Sequence, residues 1–109
     1  MRWLVIAVFS VAATAIAANQ AHARYAGYYS SGFEESLFRP VGSTERWWLI
    51  GRLSSSCPVS YNYSYIYLEV LGELSSKAKH GHMGIYDREL RVVDTLSCRT
   101  ISSEESGEL

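Results

Sequence analysis

The sequence predicts an all-β fold, either a small antiparallel barrel or a strongly coiled sheet of four to five strands. The leading observation is the run Tyr61–Leu74, YNYSYIYLEVLGEL, the longest unbroken stretch of β-favouring residues in the chain. Two strand-like runs also carry an interior glycine, Gly51 and Gly72, where a bulge or sharp bend is expected. Finally, beyond the N-terminal apolar stretch, no segment holds a helical apolar period over three turns.

Residues 1–23 read as a secretory leader. Arg2 is the positive start, Trp3 to Ala18 is apolar, and Ala21-His22-Ala23 has the small-residue form of a cleavage site, which places the cut before Arg24. A cut after Ala17 fits the same rule. The apolar run is shorter than the roughly 20 residues that span a bilayer, so no stable membrane anchor is expected after cleavage. The mature chain is expected to be periplasmic or secreted.

From Arg24 to Gly32, RYAGYYSSG has neither period and reads as an N-terminal arm. Phe33 to Arg39 alternates weakly and stops at Pro40, giving a short strand or one helical turn. After the turn Gly42-Ser43-Thr44, Trp47 to Leu53 (WWLIGRL) is a strand with apolar residues on both faces. Ser54 to Ser60 is a loop containing Cys57 and Pro58. In the long strand, Ile66, Leu68, Val70 and Leu74 share one face, the expected core, and Tyr61, Tyr63, Tyr65 and Tyr67 share the other. Ser75 to Gly84 is a polar hairpin connection, and Ile85 to Leu96 is the last strand, with a clear core face only at Leu90 and Val92. Residues 99–109 form an acidic tail, so the barrel domain is expected to run from 33 to 98.

The only two cysteines, Cys57 and Cys98, both lie in the exported part, where an even pair is most simply a disulfide. In the chain-entropy description a loop of that size contributes about 4 kcal/mol, a large share for so small a domain. Charge excludes one class of partner. With 10 basic and 11 acidic residues the net charge is −1, and no basic face able to neutralise several phosphates is visible, so nucleic acid is not expected.

Two groups of residues could carry a function. His80, His82 and Met83 place two imidazoles and a thioether on a glycine-flanked loop, a donor set suited to copper or nickel; the same residues fit a Gly-x-x-Gly turn with solvated histidines. Tyr61, Tyr63, Tyr65 and Tyr67 could form a stacking platform for a partner, or cover one side of the sheet as ordinary β-formers. No serine lies in a nucleophile-elbow context, and both histidines left after leader removal share one loop, so an enzyme is not expected.

The order FEESLFRP, ERWWLIGRL, YIYLEVLGEL and GHMGIYDREL leading to RVVDTLSC, from Phe33 to Cys98, resembles small exported bacterial OB-fold domains, including the C-terminal domain of NlpE-type copper-resistance lipoproteins. The resemblance implies an OB-like barrel in the bacterial envelope. The resulting expectation is an exported, non-enzymatic binding or structural module that contacts an envelope protein or small ligand, with no obligatory cofactor. The alternative is a metal-binding accessory protein using the histidine loop.

Overall fold

The computed structural model describes residues 22–109; the expected leader, apart from His22 and Ala23, lies outside the described residues. Five strands, β1 (Ala23–Gly32), β2 (Glu35–Pro40), β3 (Trp47–Ile50), β4 (Tyr65–Leu74) and β5 (Arg88–Thr100), close into one OB-like barrel in the order β1-β2-β3-β5-β4. All neighbours are antiparallel except β3 and β5, which run parallel over Trp47–Ile50 and Arg88–Arg91. The barrel is therefore closed and mixed, where a wholly antiparallel one was expected. A short helix, α1 (Ser103–Gly107), follows β5, and no described helix is long and apolar enough to cross a membrane.

The interior is filled by Tyr29, Phe38, Trp47, Leu49, Ile66, Leu68, Val70, Leu90 and Val92. Phe38 and Trp47 stack with ring centroids 5.7 Å apart, and Tyr25 meets Trp47 edge-on at 5.5 Å. Ile66, Leu68 and Val70 occupy the inward face expected of them.

Residues 24–32, expected as an arm, belong instead to β1. The strand pairs with β4 along Ala23–Ser30 and with β2 along Gly27–Gly32, so it is central to the barrel. Its inward positions are Tyr25, Gly27 and Tyr29, and a glycine in the middle of that series hides the alternation. Glycine is required there, because a Cβ on Gly27 would stand 2.4 Å from the Arg39 carbonyl and 2.8 Å from the Phe38 ring.

The last strand is longer than expected, and Cys98 lies inside it rather than beyond it. Its register against β4 shifts twice, between Glu69 and Val70 and between Leu71 and Gly72. Each shift leaves one β5 residue unpaired: Leu96 falls between the partners Ser97 and Thr95, and Val93 between Asp94 and Val92. These two apolar side chains are turned out, at 39% and 43% exposure. At the second shift Gly72 permits close approach, since a Cβ would lie 2.6 Å from the Arg91 carbonyl.

Strand β3 ends at Ile50, short of the expected Leu53, because Gly51 takes φ +107°. The chain nonetheless stays beside β5. A Cβ placed on Gly51 would stand 3.0 Å from the Val92 carbonyl, the Ser54 N–H donates to Thr95 Oγ1 at 3.0 Å, and Cys57 is bonded to Cys98. All three contacts keep the 41-residue offset of the parallel β3–β5 pairing, so Gly51–Cys57 is a strap continuing that register without its ladder. The cysteine Cα atoms are 5.5 Å apart, near the spacing of adjacent strands.

The disulfide accordingly holds the strap in register as well as shortening the unfolded chain. Replacing both cysteines by serine is expected to lower stability by about 2 to 4 kcal/mol, read from urea midpoints. Hydrogen exchange in the variant should rise at Ser54–Cys57 before it rises at Leu68 or Leu90; simultaneous loss of protection would show that the strap is not a separate unit.

Candidate functional site

Outside the barrel, neighbouring strands place Tyr65, Ser30, Leu37 and Trp48 side by side in one row. OB-like barrels bind ligands across the face of strands 2 and 3. Here the β4–β5 connection folds over that face. Tyr86, buried, meets Trp48 edge-on at 4.9 Å, and its hydroxyl reaches the Ser36 backbone. Burial, together with the nearby charge of Glu35, pushes the Tyr86 hydroxyl up from its ordinary value, so it remains a neutral phenol. Gly81, at φ +71°, lies so close that a Cβ would meet both Trp48 and Tyr86 at 2.7 Å.

The connection is tied down along its length. His80 and Tyr86 exchange backbone hydrogen bonds of 2.9 and 3.1 Å, the Asp87 N–H donates to the Arg46 carbonyl, and the Arg46 N–H donates to Asp87 Oδ2. The Arg46 guanidinium lies over the Tyr86 ring, 5.3 Å from its centroid. Leu37, buried outside the core cluster, completes this covered face.

The tip of the connection reaches the β1–β2 turn and forms a rim with it. His82 Nε2 lies 2.7 Å from Glu34 Oε1. The Tyr63 hydroxyl accepts from the Phe33 N–H at 3.1 Å and donates to the Phe33 carbonyl, and its ring covers Gly32, where a Cβ would stand 2.2 Å from it. Among the described residues three non-glycine positions have left-handed backbone, Glu34 (φ 57°), Tyr63 (φ 66°) and Met83 (φ 59°), and all three belong to this rim. Such a conformation costs about 1 kcal/mol or more each. The rim also presents apolar surface: Phe33 is 70% exposed, Tyr63 53% and Met83 81%.

The tyrosine series does not form one platform. Left-handed Tyr63 turns the chain, so Tyr61 and Tyr63 lie in the loop before β4, and only Tyr65 and Tyr67 share its outer face. Tyr67 packs edge-on against Tyr28 at 5.7 Å, beneath the Arg99 guanidinium at 4.6 Å. Of the expected metal ligands, the two histidines have other partners, and Met83 is exposed. His80 Nε2 stands 3.2 Å from both Ser75 Oγ and the Ser76 carbonyl, and His82 faces Glu34. Among the described residues no three His, Cys, Asp or Glu side chains are grouped to hold a metal ion, and binding through this loop would exchange both sets of contacts for metal bonds.

A second polar cluster lies where the acidic tail was expected. Residues 99 and 100 complete β5, and α1 is capped by Ser102, whose Oγ accepts from the Glu105 N–H at 3.1 Å. The Glu105 carboxylate accepts from Arg99 at 3.1 and 3.0 Å and from the Tyr28 hydroxyl at 2.8 Å. The Ser102-Ser103-Glu104-Glu105 sequence is a readable capping-box pattern, which could have located this helix in advance. Trp48, Tyr86, Tyr28 and Arg99 carry no comparable local signal. No known protein family, curated protein or solved structure matches the chain.

The hydrogen bonds from Arg99 and Tyr28 hold the Glu105 carboxyl down at about 2, against an ordinary 4.5. A depressed carboxyl stabilises the fold in its ionised form, so docking of α1 should be complete above the ordinary carboxylate range and lost as pH falls through about 2. Carboxyl-carbon NMR titration checks this, and a Glu105 midpoint near 4.5 would show that the contacts do not hold in solution.

Proposed function

We propose that this chain is an exported, non-enzymatic binding or structural module of the bacterial envelope, and that it engages a partner protein through the Phe33, Tyr63 and Met83 rim. The observation that carries the reading is the coincidence of backbone strain with exposed apolar surface. Glycine would relieve the strain at Met83, yet a large apolar side chain stands there in solvent. A stability cost retained at an exposed position marks a site kept for contact rather than for folding.

Export is supported by the leader-like N-terminus and by the Cys57–Cys98 disulfide, which belongs in an oxidising compartment. The resemblance to exported OB-fold domains supports the same placement. The covered β2–β3 face supports the rim as the contact surface, because Tyr86 and Gly81 already occupy the surface where such barrels take ligands.

Substitution separates folding from contact at the rim. Met83→Gly is expected to raise stability by about 0.5 to 1 kcal/mol, because glycine takes φ 59° freely and loses no buried surface. The same change combined with Phe33→Ser should abolish the partner captured by crosslinking from envelope extract. A stable double variant that captures the same partner as the original chain would rule out the rim.

A further inference from the structure

The carboxylate of Glu105 sits in a receptor that the barrel builds without help from the helix. Arg99 on β5 and Tyr28 on β1 supply the three hydrogen bonds, and both are positioned by Tyr67 of β4, over which Arg99 lies and against which Tyr28 packs. A guanidinium presenting two parallel donors, with a phenol as a third, is the geometry that recognises a carboxylate.

The helix that brings the occupant has little hold of its own. α1 is five residues long and buries none of them, and a helix that short has no independent stability in water. Its place therefore depends on the Ser102 cap and on Glu105 itself. Beside the carboxylate a surface recess of about 300 Å³ runs along Arg39, Val41 and Glu108, and among the described residues Arg39 makes no ion pair. A second cation next to the filled site leaves room for a further acidic group.

We propose that Arg99 and Tyr28 form a carboxylate-recognition site for an acidic peptide segment, and that Glu105 fills it in cis as a pseudo-ligand. The site is separate from the Phe33 rim and stands whether or not that reading holds. A tethered occupant acts at an effective concentration of about millimolar, so a competing peptide must bring a second contact, which Arg39 offers, or meet a chain whose α1 has detached.

The test uses a fluorescein-labelled peptide of the sequence 101–109, ISSEESGEL, with binding read as fluorescence anisotropy. Glu105→Ala vacates the site and leaves its donors in place, and it should bind the peptide about tenfold more tightly than the original chain. Adding Arg99→Gln should remove that binding, as should glutamine in the peptide at the place of Glu105. Ser102→Ala, which uncaps α1 without touching the barrel, should shift affinity in the same direction and serves if Glu105→Ala folds poorly. Equal affinity in the original chain and both variants, no saturable binding to either variant, or binding that survives the loss of Arg99 would overturn the proposal.

Discussion

Closure of the barrel rests on the parallel contact between β3 and β5. Only four residues of each strand pair, fewer than in the long antiparallel contacts that β4 makes with β1 and β5; the two-residue β2–β3 contact is shorter still, but a short turn joins those strands. Parallel pairing is slightly weaker per residue and joins segments far apart in sequence, so a short parallel seam is the natural weak point of a closed sheet. The strap Gly51–Cys57 extends the seam at the same offset, and the disulfide fixes its far end. In this position the covalent bond supports a contact that is both short and made between strands distant in sequence, and it helps to keep the Phe38, Leu68, Val70 and Leu90 interior enclosed.

A closed seam also decides where the surface can work. Because the barrel has no free end to its sheet order, the connections supply the variation, and the one between β4 and β5 lies down over β2 and β3. Tyr86 and Gly81 fill that face, and the tip of the same connection meets the β1–β2 turn through His82 and Glu34. Three exposed apolar groups, Phe33, Tyr63 and Met83, are thereby gathered at one rim. Three left-handed residues there indicate a backbone shaped against its own preferences by surrounding contacts.

Alternation was legible wherever a strand held one register. Ile66, Leu68, Val70, Leu90 and Val92 could be placed inward from period alone, and Gly72 could be read as a bend. Beyond Val92 the pattern dissolved, because the bulges at Val93 and Leu96 each shift the phase by one residue and turn an apolar side chain outward. β1 was obscured differently: its inward series includes Gly27, whose missing side chain makes room for Phe38 and leaves no apolar mark in the sequence. The functional clusters were less legible still. His82 with Glu34 and Tyr28 with Glu105 pair residues 48 and 77 positions apart, and no spacing rule reaches that far.

By itself the sequence determined the class of fold, the core stripe of β4 and the pairing of Cys57 with Cys98, since these depend on local period, on composition and on there being only two thiols. Tertiary structure alone decided that β3 and β5 run parallel, that residues 24–32 are a barrel strand, and that Tyr61 and Tyr63 leave the stripe of Tyr65 and Tyr67. The physical reason is the same in each case. Period reports which way a side chain points within one strand, whereas direction, closure and left-handed turns are set by what the neighbouring strands leave room for, and that information lies in the other strands.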